Sequence, residues 1–116
     1  MLVSSLRRRG EFQTVYRQGV KVTGRYLVVF SLARDGEACR FGLTATRRIG
    51  GAVVRNRARR RLRELFRKHG ETLAGIGVDV VVNVRYGCAY GAWDDVEADF
   101  VRCLSSARRR LSPLAS

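Results

Sequence analysis

Histidine occurs once in the 116 residues, at His69, and aspartate and glutamate together number only ten. A hydrolase working alone needs a nucleophile with its base, a pair of carboxylates or a metal cluster. The chain has no Asp-x-Asp or Glu-x-x-His pattern. Three of its ten acids, Asp94, Asp95 and Glu97, gather in what reads as the first turn of a helix, where dipole electrostatics accounts for them. No catalytic residue and no metal ligand is therefore expected, and His69, beside Gly70, reads as a surface residue at a helix C-terminus. Cys39, Cys88 and Cys103 are odd in number and lack C-x-x-C spacing, so neither a zinc site nor a closed disulfide framework is indicated. Cys39 alternates with Phe41 and Leu43, and Cys103 falls on an apolar helical stripe; both read as core residues in a reducing compartment. Residues 1–10 hold no apolar stretch of signal-peptide length and no segment approaches a membrane span, which makes the cytoplasm the expected setting. Internal repeats, low-complexity stretches and linkers are missing too, and the length suits one domain over 1–116.

What is present is positive charge. Lys and Arg number 23 for a net charge of +13, while a hydrophobic content of 46% is ordinary for a folded domain. The sequence pI is about 11.3. Ten of the 23 cations lie between Arg47 and Lys68 against one acid, Glu64. The run Arg55-Asn56-Arg57-Ala58-Arg59-Arg60-Arg61-Leu62-Arg63 puts six arginines into nine residues. Such charge repels itself, so a polyanion that relieves the repulsion is the natural partner, and arginine grips phosphate or a base edge with a planar fork. Nucleic acid explains this size and clustering of charge better than solubility alone.

Helical spacing of Phe12, Val15 and Tyr16 predicts a weakly capped helix over 11–18 that stops at Gly19. Strands are expected over 20–23, 25–33 and 38–46, the last two joined by a hairpin turn at Asp35-Gly36. A helix follows over 53–69, burying Val54, Ala58, Leu62, Leu65 and Phe66 and ending at Gly70. Residues 78–84 read as a strand covered on both faces. A last helix over 92–111 buries Trp93, Val96, Phe100, Cys103, Leu104, Ala107 and Leu111, carries Arg108, Arg109 and Arg110 at its C-terminal end, and stops at Ser112-Pro113. The class is α+β with one sheet.

On the basic helix, Asn56, Arg60, Arg63 and Arg67 share the face opposite the apolar stripe, with Arg57, Arg61 and Lys68 flanking that stripe. Arg55, Asn56 and Arg57 are placed in the first turn, where free N–H groups and the dipole favour phosphate. Asn56 has the donor and acceptor that read an adenine edge; a helix cap is the rival reading, and the two are compatible. Arg59 to Arg61 cannot all reach one surface, so two partners or two strands are implied. Phe12 and Tyr16 lie one turn apart, and Phe30, with Tyr26 and Val28 on its side of the pleat, sits on a facing strand. Rings so placed can stack on unpaired bases or simply fill core.

These residues resemble the bacterial ribonuclease P protein subunit. The likeness is carried by Ala52-Val53-Val54-Arg55-Asn56-Arg57-Ala58-Arg59-Arg60-Arg61-Leu62-Arg63-Glu64 with its Arg-Asn-Arg core. It extends to Glu11-Phe12-Gln13-Thr14-Val15-Tyr16 with Gly19, and to the lead-in Phe41-Gly42-Leu43-Thr44-Ala45-Thr46-Arg47-Arg48-Ile49-Gly50. The resemblance implies an α-β-β-β-α-β-α sandwich with one four-stranded sheet and a left-handed βαβ crossover, of the kind seen in a domain of a small-subunit ribosomal protein. It implies two partners, the catalytic RNA and the 5′ leader of precursor tRNA, and neither a membrane nor a small-molecule substrate. Mg²⁺ would be required by the RNA subunit, which would hold the active site; no cofactor is implied for the protein alone. Arg47, Arg48, Arg55, Asn56, Arg57, Arg59, Arg60, Arg61, Arg63 and Arg67 become the expected RNA-binding residues, and Phe12, Tyr16 and Phe30 the leader cleft. The segment 87–91 lacks the proline often found there in the family. The alternative is a non-catalytic RNA-binding module such as a ribosome-associated protein. A membrane-surface or calmodulin-type helix ranks last, because the apolar stripe is needed for the core.

Overall fold

A strand that is apolar on both sides needs cover on both faces and a neighbour on both edges. The valine-rich run at 78–84 obtains all four. The computed structural model describes residues 3–111. In chain order its elements are β1 (Val3–Ser5), α1 (Arg9–Gln18), β2 (Val20–Thr23), β3 (Leu27–Ala33), β4 (Cys39–Thr44), α2 (Ala52–His69), β5 (Val78–Val84) and α3 (Trp93–Leu111), with 3₁₀ turns at Arg47–Ile49 and Gly70–Leu73. The sheet order is β1-β4-β5-β3-β2. β4 pairs parallel to β5 and β3 pairs antiparallel to it, so the last strand of the chain is the middle one of the sheet. The four expected strands thus form one sheet, and β1 adds a short fifth, parallel to β4.

That order corrects the expected hairpin. β3 and β4 are consecutive but not paired, because β5 lies between them. The connection through Gly36 (φ 95°) must span two strand spacings, roughly 10 Å. It crosses the start of β5, where the Arg34 N–H donates to Gly77 O and the Val78 N–H to Ala38 O. A Cβ on Gly77 would lie 2.5 Å from the Arg34 carbonyl oxygen, so glycine is required for this close crossing.

The pleat divides the core. Val80 and Val82 join Leu27, Val29, Ala58, Leu62, Leu65, Phe100 and Leu104 beneath α2 and α3, where Phe41 stacks on Phe66 at 4.0 Å. Each fully buried valine, leucine or phenylalanine here contributes about 1.5–3 kcal/mol. Val81 points the other way, to Leu6 and Val15. Helices of 18 and 19 residues therefore cover one face and the ten-residue α1 the other, which leaves the α1 face partly open. Tyr26 does not follow Phe30 as expected: it precedes β3 and packs into the α2–α3 side. Cys39, Cys88 and Cys103 are buried. α2 ends at His69 with Gly70 as its C-cap, as expected, but Gly70 keeps a right-handed conformation and leads directly into a 3₁₀ turn. The expected stop at Ser112-Pro113 lies outside the described residues.

Ion pairs fasten the helices. Arg40 grips Asp79 with two bonds of 2.8 and 2.7 Å and reaches Glu11 at the start of α1. Glu11 also accepts the Arg8 backbone N–H, which supplies the cap that the sequence reading lacked and lets α1 start at Arg9. Asp99, buried in α3, accepts the backbone N–H groups of Arg25 and Tyr26. Glu97 takes His69 Nε2 at 2.7 Å and Lys68 Nζ at 2.9 Å, tying the end of α2 to α3. Bonds from His69 and Lys68 hold the Glu97 carboxyl below its ordinary value, and the Arg8 N–H, with Arg40, does the same for Glu11. Both folded-state carboxyls release protons more readily than in the unfolded chain. Their stabilisation is complete above the ordinary carboxyl value of 4.5 and is lost as pH falls through the lowered folded values. Thermal melts at stepped pH should show Tm falling on acidification below about pH 4.5, with a shallower fall in Glu97→Gln.

Candidate nucleic-acid interface

The apolar stripe of α2 settles where each of its cations points. With Ala58, Leu62, Leu65 and Phe66 against the sheet, Asn56, Arg60 and Arg63 are exposed on the far side, and with half-buried Arg59 they line a shallow basic depression. Arg59 donates to Asn56 Oδ1 at 3.1 Å. The guanidinium groups of Arg60 and Arg63 have no acidic or hydrogen-bonding partner among the described residues, nor do those of Arg47 and Arg48, exposed in the 3₁₀ turn that leads into α2.

Other expected RNA ligands face inward or are paired. Arg57 Nε donates to Ala89 O at 2.7 Å, and Arg61 Nη1 donates to Cys88 O at 3.1 Å and Gly91 O at 2.7 Å. The two guanidinium groups clamp the loop that joins β5 to α3, and they also stack over Tyr90 and Trp93. Arg67 pairs with Glu64 one turn before it. Arg55 is half-buried, with its Nε unpartnered. Asn56 is not the cap, since Gly51 occupies that position; the first helical bond runs from Arg55 N–H to Gly51 O, which puts the free N–H groups at residues 52–54, not at 55–57 as expected.

The three expected cleft aromatics do come together, on the open face of the sheet. Phe12 lies on Gly42, whose absent side chain makes room: a Cβ there would stand 2.7 Å from the Phe12 ring. Tyr16 meets Phe30 edge to face at 4.8 Å. Its hydroxyl donates to Asn83 Oδ1 at 2.7 Å and lies 3.0 Å from Thr44 Oγ1, so the ring is held on two strands. All three rings are half-buried: they pack on Leu6, Val15 and Val81 and keep some surface in solvent. Lys21 Nζ sits 5.8 Å from the Phe30 ring centre, a cation at the cleft edge. Lys21, Thr44 and Asn83 were not among the expected site residues; the period-two pairing of Lys21 with Phe30 and of Thr44 with Asn83 is what places them, and it needs the strand order.

The three cysteine side chains are buried. Burial pushes the Cys39 thiol up to about 11 and the Cys88 thiol to about 12, and raises Cys103 as well. Among the described residues no three His, Cys, Asp or Glu side chains converge as metal ligands, and no helix is long and apolar enough to cross a membrane.

A family model described as Ribonuclease P matches residues 3–108. The chain belongs to the ribonuclease P protein family. It is 36% identical to the ribonuclease P protein component of Pseudarthrobacter chlorophenolicus over 112 residues, covering 92% of this chain and 79% of that one. Identity to the component of Gluconacetobacter diazotrophicus is 40% over 103 residues, 88% and 89% of the two chains. The match to the Desulforamulus reducens component, at 45% identity, spans 56% of this chain and 58% of that relative's length. The RNase P protein of Thermotoga maritima superposes with a TM-score of 0.78 at 25% identity, over 89% of this chain and 96% of that one. The Staphylococcus aureus RNase P protein shares the fold, with a TM-score of 0.78 at 24% identity over 90% and 94%.

Exposed and inward arginines should separate cleanly in stability measurements. Arg61→Ala leaves two loop carbonyls without donors and should cost about 1–3 kcal/mol in urea unfolding. Arg60→Ala removes no internal bond and should stay within about 0.5 kcal/mol of the parent.

Proposed function

We propose that this ribonuclease P protein lays the outward face of α2 on the catalytic RNA and receives the 5′ leader of precursor tRNA along the Phe12–Tyr16–Phe30 cleft, while the RNA hydrolyses the phosphodiester that frees the leader. One observation carries the reading: unneutralised arginines and half-open aromatic rings occupy different surfaces of one rigid domain, so it can hold two RNA segments at once. Arg47, Arg48, Asn56, Arg59, Arg60 and Arg63 take the catalytic RNA in this account. Arg57 and Arg61 act behind them by holding the helix and its neighbouring loop together.

The physical role is electrostatic and steric. Two folded RNAs repel through their phosphates, and a domain of net charge +13 between them offsets that repulsion. Each phosphate neutralised releases counterions, worth about 0.7–0.9 in the slope of log affinity against log salt. Leader bases lose stacking partners when single-stranded; the cleft rings restore them at about 1–3 kcal/mol each without regard to base identity. Lys21 stands where a leader phosphate would follow Phe30. Mg²⁺ and the cleavage step belong to the RNA. The side chains that would be needed here are otherwise engaged, His69 with Glu97 and Asp79 with Arg40, and the cysteine thiols are buried. Unpaired buried thiols fit a reducing compartment, and a cytoplasmic setting is part of the same proposal.

Reconstitution with a bacterial catalytic RNA tests this. The protein should raise precursor-tRNA cleavage at low Mg²⁺. Asn56→Ala and Arg60→Ala should lower it, with recovery as Mg²⁺ is raised; a defect indifferent to Mg²⁺ counts against the electrostatic role. Phe12→Ala should weaken binding of leader-bearing substrate about five-fold or more and spare mature tRNA. Equal losses for both would make Phe12 a core residue only, and robust cleavage by the RNA-free protein would sink the proposal.

A further inference from the structure

The loop clamped by Arg57 and Arg61 lifts two tyrosines out of the fold. Tyr86 is 83% exposed and Tyr90 63% exposed, unusual for rings that bury 150–250 Å² when packed. The loop itself is stiff. Cys88 N–H donates to Arg85 O, and Tyr90 and Gly91 N–H both donate to Gly87 O. Gly87 adopts φ 91°, and a Cβ on Gly91 would strike the Tyr26 ring at 2.7 Å. The backbone that carries both tyrosines is thus fixed, and Arg57 braces the Tyr90 ring at 4.9 Å.

Below them opens a depression of about 680 Å³ walled by Arg25, Tyr26, Val54, Arg85, Tyr86 and Tyr90, with no carboxylate in its lining. That volume is within the roughly 300–1,000 Å³ range of small-ligand sites. Guanidinium groups already stack on two of its rings, Arg25 on Tyr26 at 5.1 Å and Arg57 on Tyr90 at 4.9 Å. One nitrogen of Arg85 holds Gly24 O at 2.8 Å and leaves the rest of the fork uncommitted. Aromatic faces, guanidinium groups and the absence of acid are the chemistry that takes an unpaired base with its phosphate.

We propose that this depression is a second stacking site, which receives an unpaired nucleotide of the catalytic RNA. The site adjoins the surface assigned to that RNA: Val54 in the first turn of α2 forms one wall, and Arg57 of the same helix supports Tyr90. The leader cleft, in contrast, lies on the sheet face under α1. The proposal rests on the catalytic RNA being the partner of α2, and its test keeps the two ideas apart.

The intact protein is titrated against a bacterial ribonuclease P catalytic RNA and, separately, against precursor tRNA, with Tyr86→Ser, Tyr86→Phe and Arg60→Ala. Tyr86→Ser should leave the melting temperature unchanged and weaken binding of the catalytic RNA about five-fold or more at an unchanged salt slope. Tyr86→Phe, which keeps the ring, should restore binding to within about two-fold. Loss with Arg60→Ala but none with Tyr86→Ser overturns the second site and leaves the proposed function standing. No loss with either variant overturns the proposed function itself. Equal loss in Tyr86→Ser and Tyr86→Phe, or loss confined to precursor tRNA, overturns stacking on the catalytic RNA.

Discussion

Carbonyl oxygens in a tight loop have no ladder to satisfy them, and the turn after β5 directs three of them, from Cys88, Ala89 and Gly91, at α2. Arg57 and Arg61 answer with guanidinium donors. The clamp fixes the roll of α2 about its own axis from one side while Leu62, Leu65 and Phe66 fix it from beneath. Once the roll is set, Arg60 and Arg63 have nowhere to point but outward. A dense basic motif on a helix is in this way sorted by periodicity into cations that hold the protein together and cations left over for a partner.

The sheet makes a parallel division. β5 is sealed by α2 and α3 below and only in part by α1 above, so the residues of its upper side, Asp79, Val81 and Asn83, serve three purposes in sequence: an ion pair with Arg40, a small core, and an anchor for Tyr16. The half-covered face is what permits aromatic rings to be fixed and still reachable. Had the first helix been as long as the other two, Phe12, Tyr16 and Phe30 would be ordinary core.

Much of this was legible in the chain. The stripe Ala58, Leu62, Leu65, Phe66 gave the helix and its inner face, the valine run identified a strand covered on both sides, and the meeting of Phe12, Tyr16 and Phe30 followed from helical spacing and the family likeness. The failures share a cause: each needed a partner distant in sequence. Asp35-Gly36 has hairpin chemistry, but hydrogen bonds to residues 77 and 78 overrule it. That Arg57 and Arg61 also bind loop carbonyls some 30 residues on could not be read from the helix alone. The helix start at Gly51, with no side-chain cap, left no polar residue to mark it, so the free N–H groups were placed one turn late.

The position of β5 also bears on how the chain can be made. Its two neighbours, β3 and β4, are synthesised first, and their places in the sheet leave a gap that only β5 fills. A nascent polypeptide that has reached His69 therefore already carries the whole of its arginine-rich helix, yet has no completed platform on which to seat it. Long-range strand insertion is slow relative to helix formation. A strongly cationic, amphipathic segment is thus complete in the growing chain before the strand that finishes its seat.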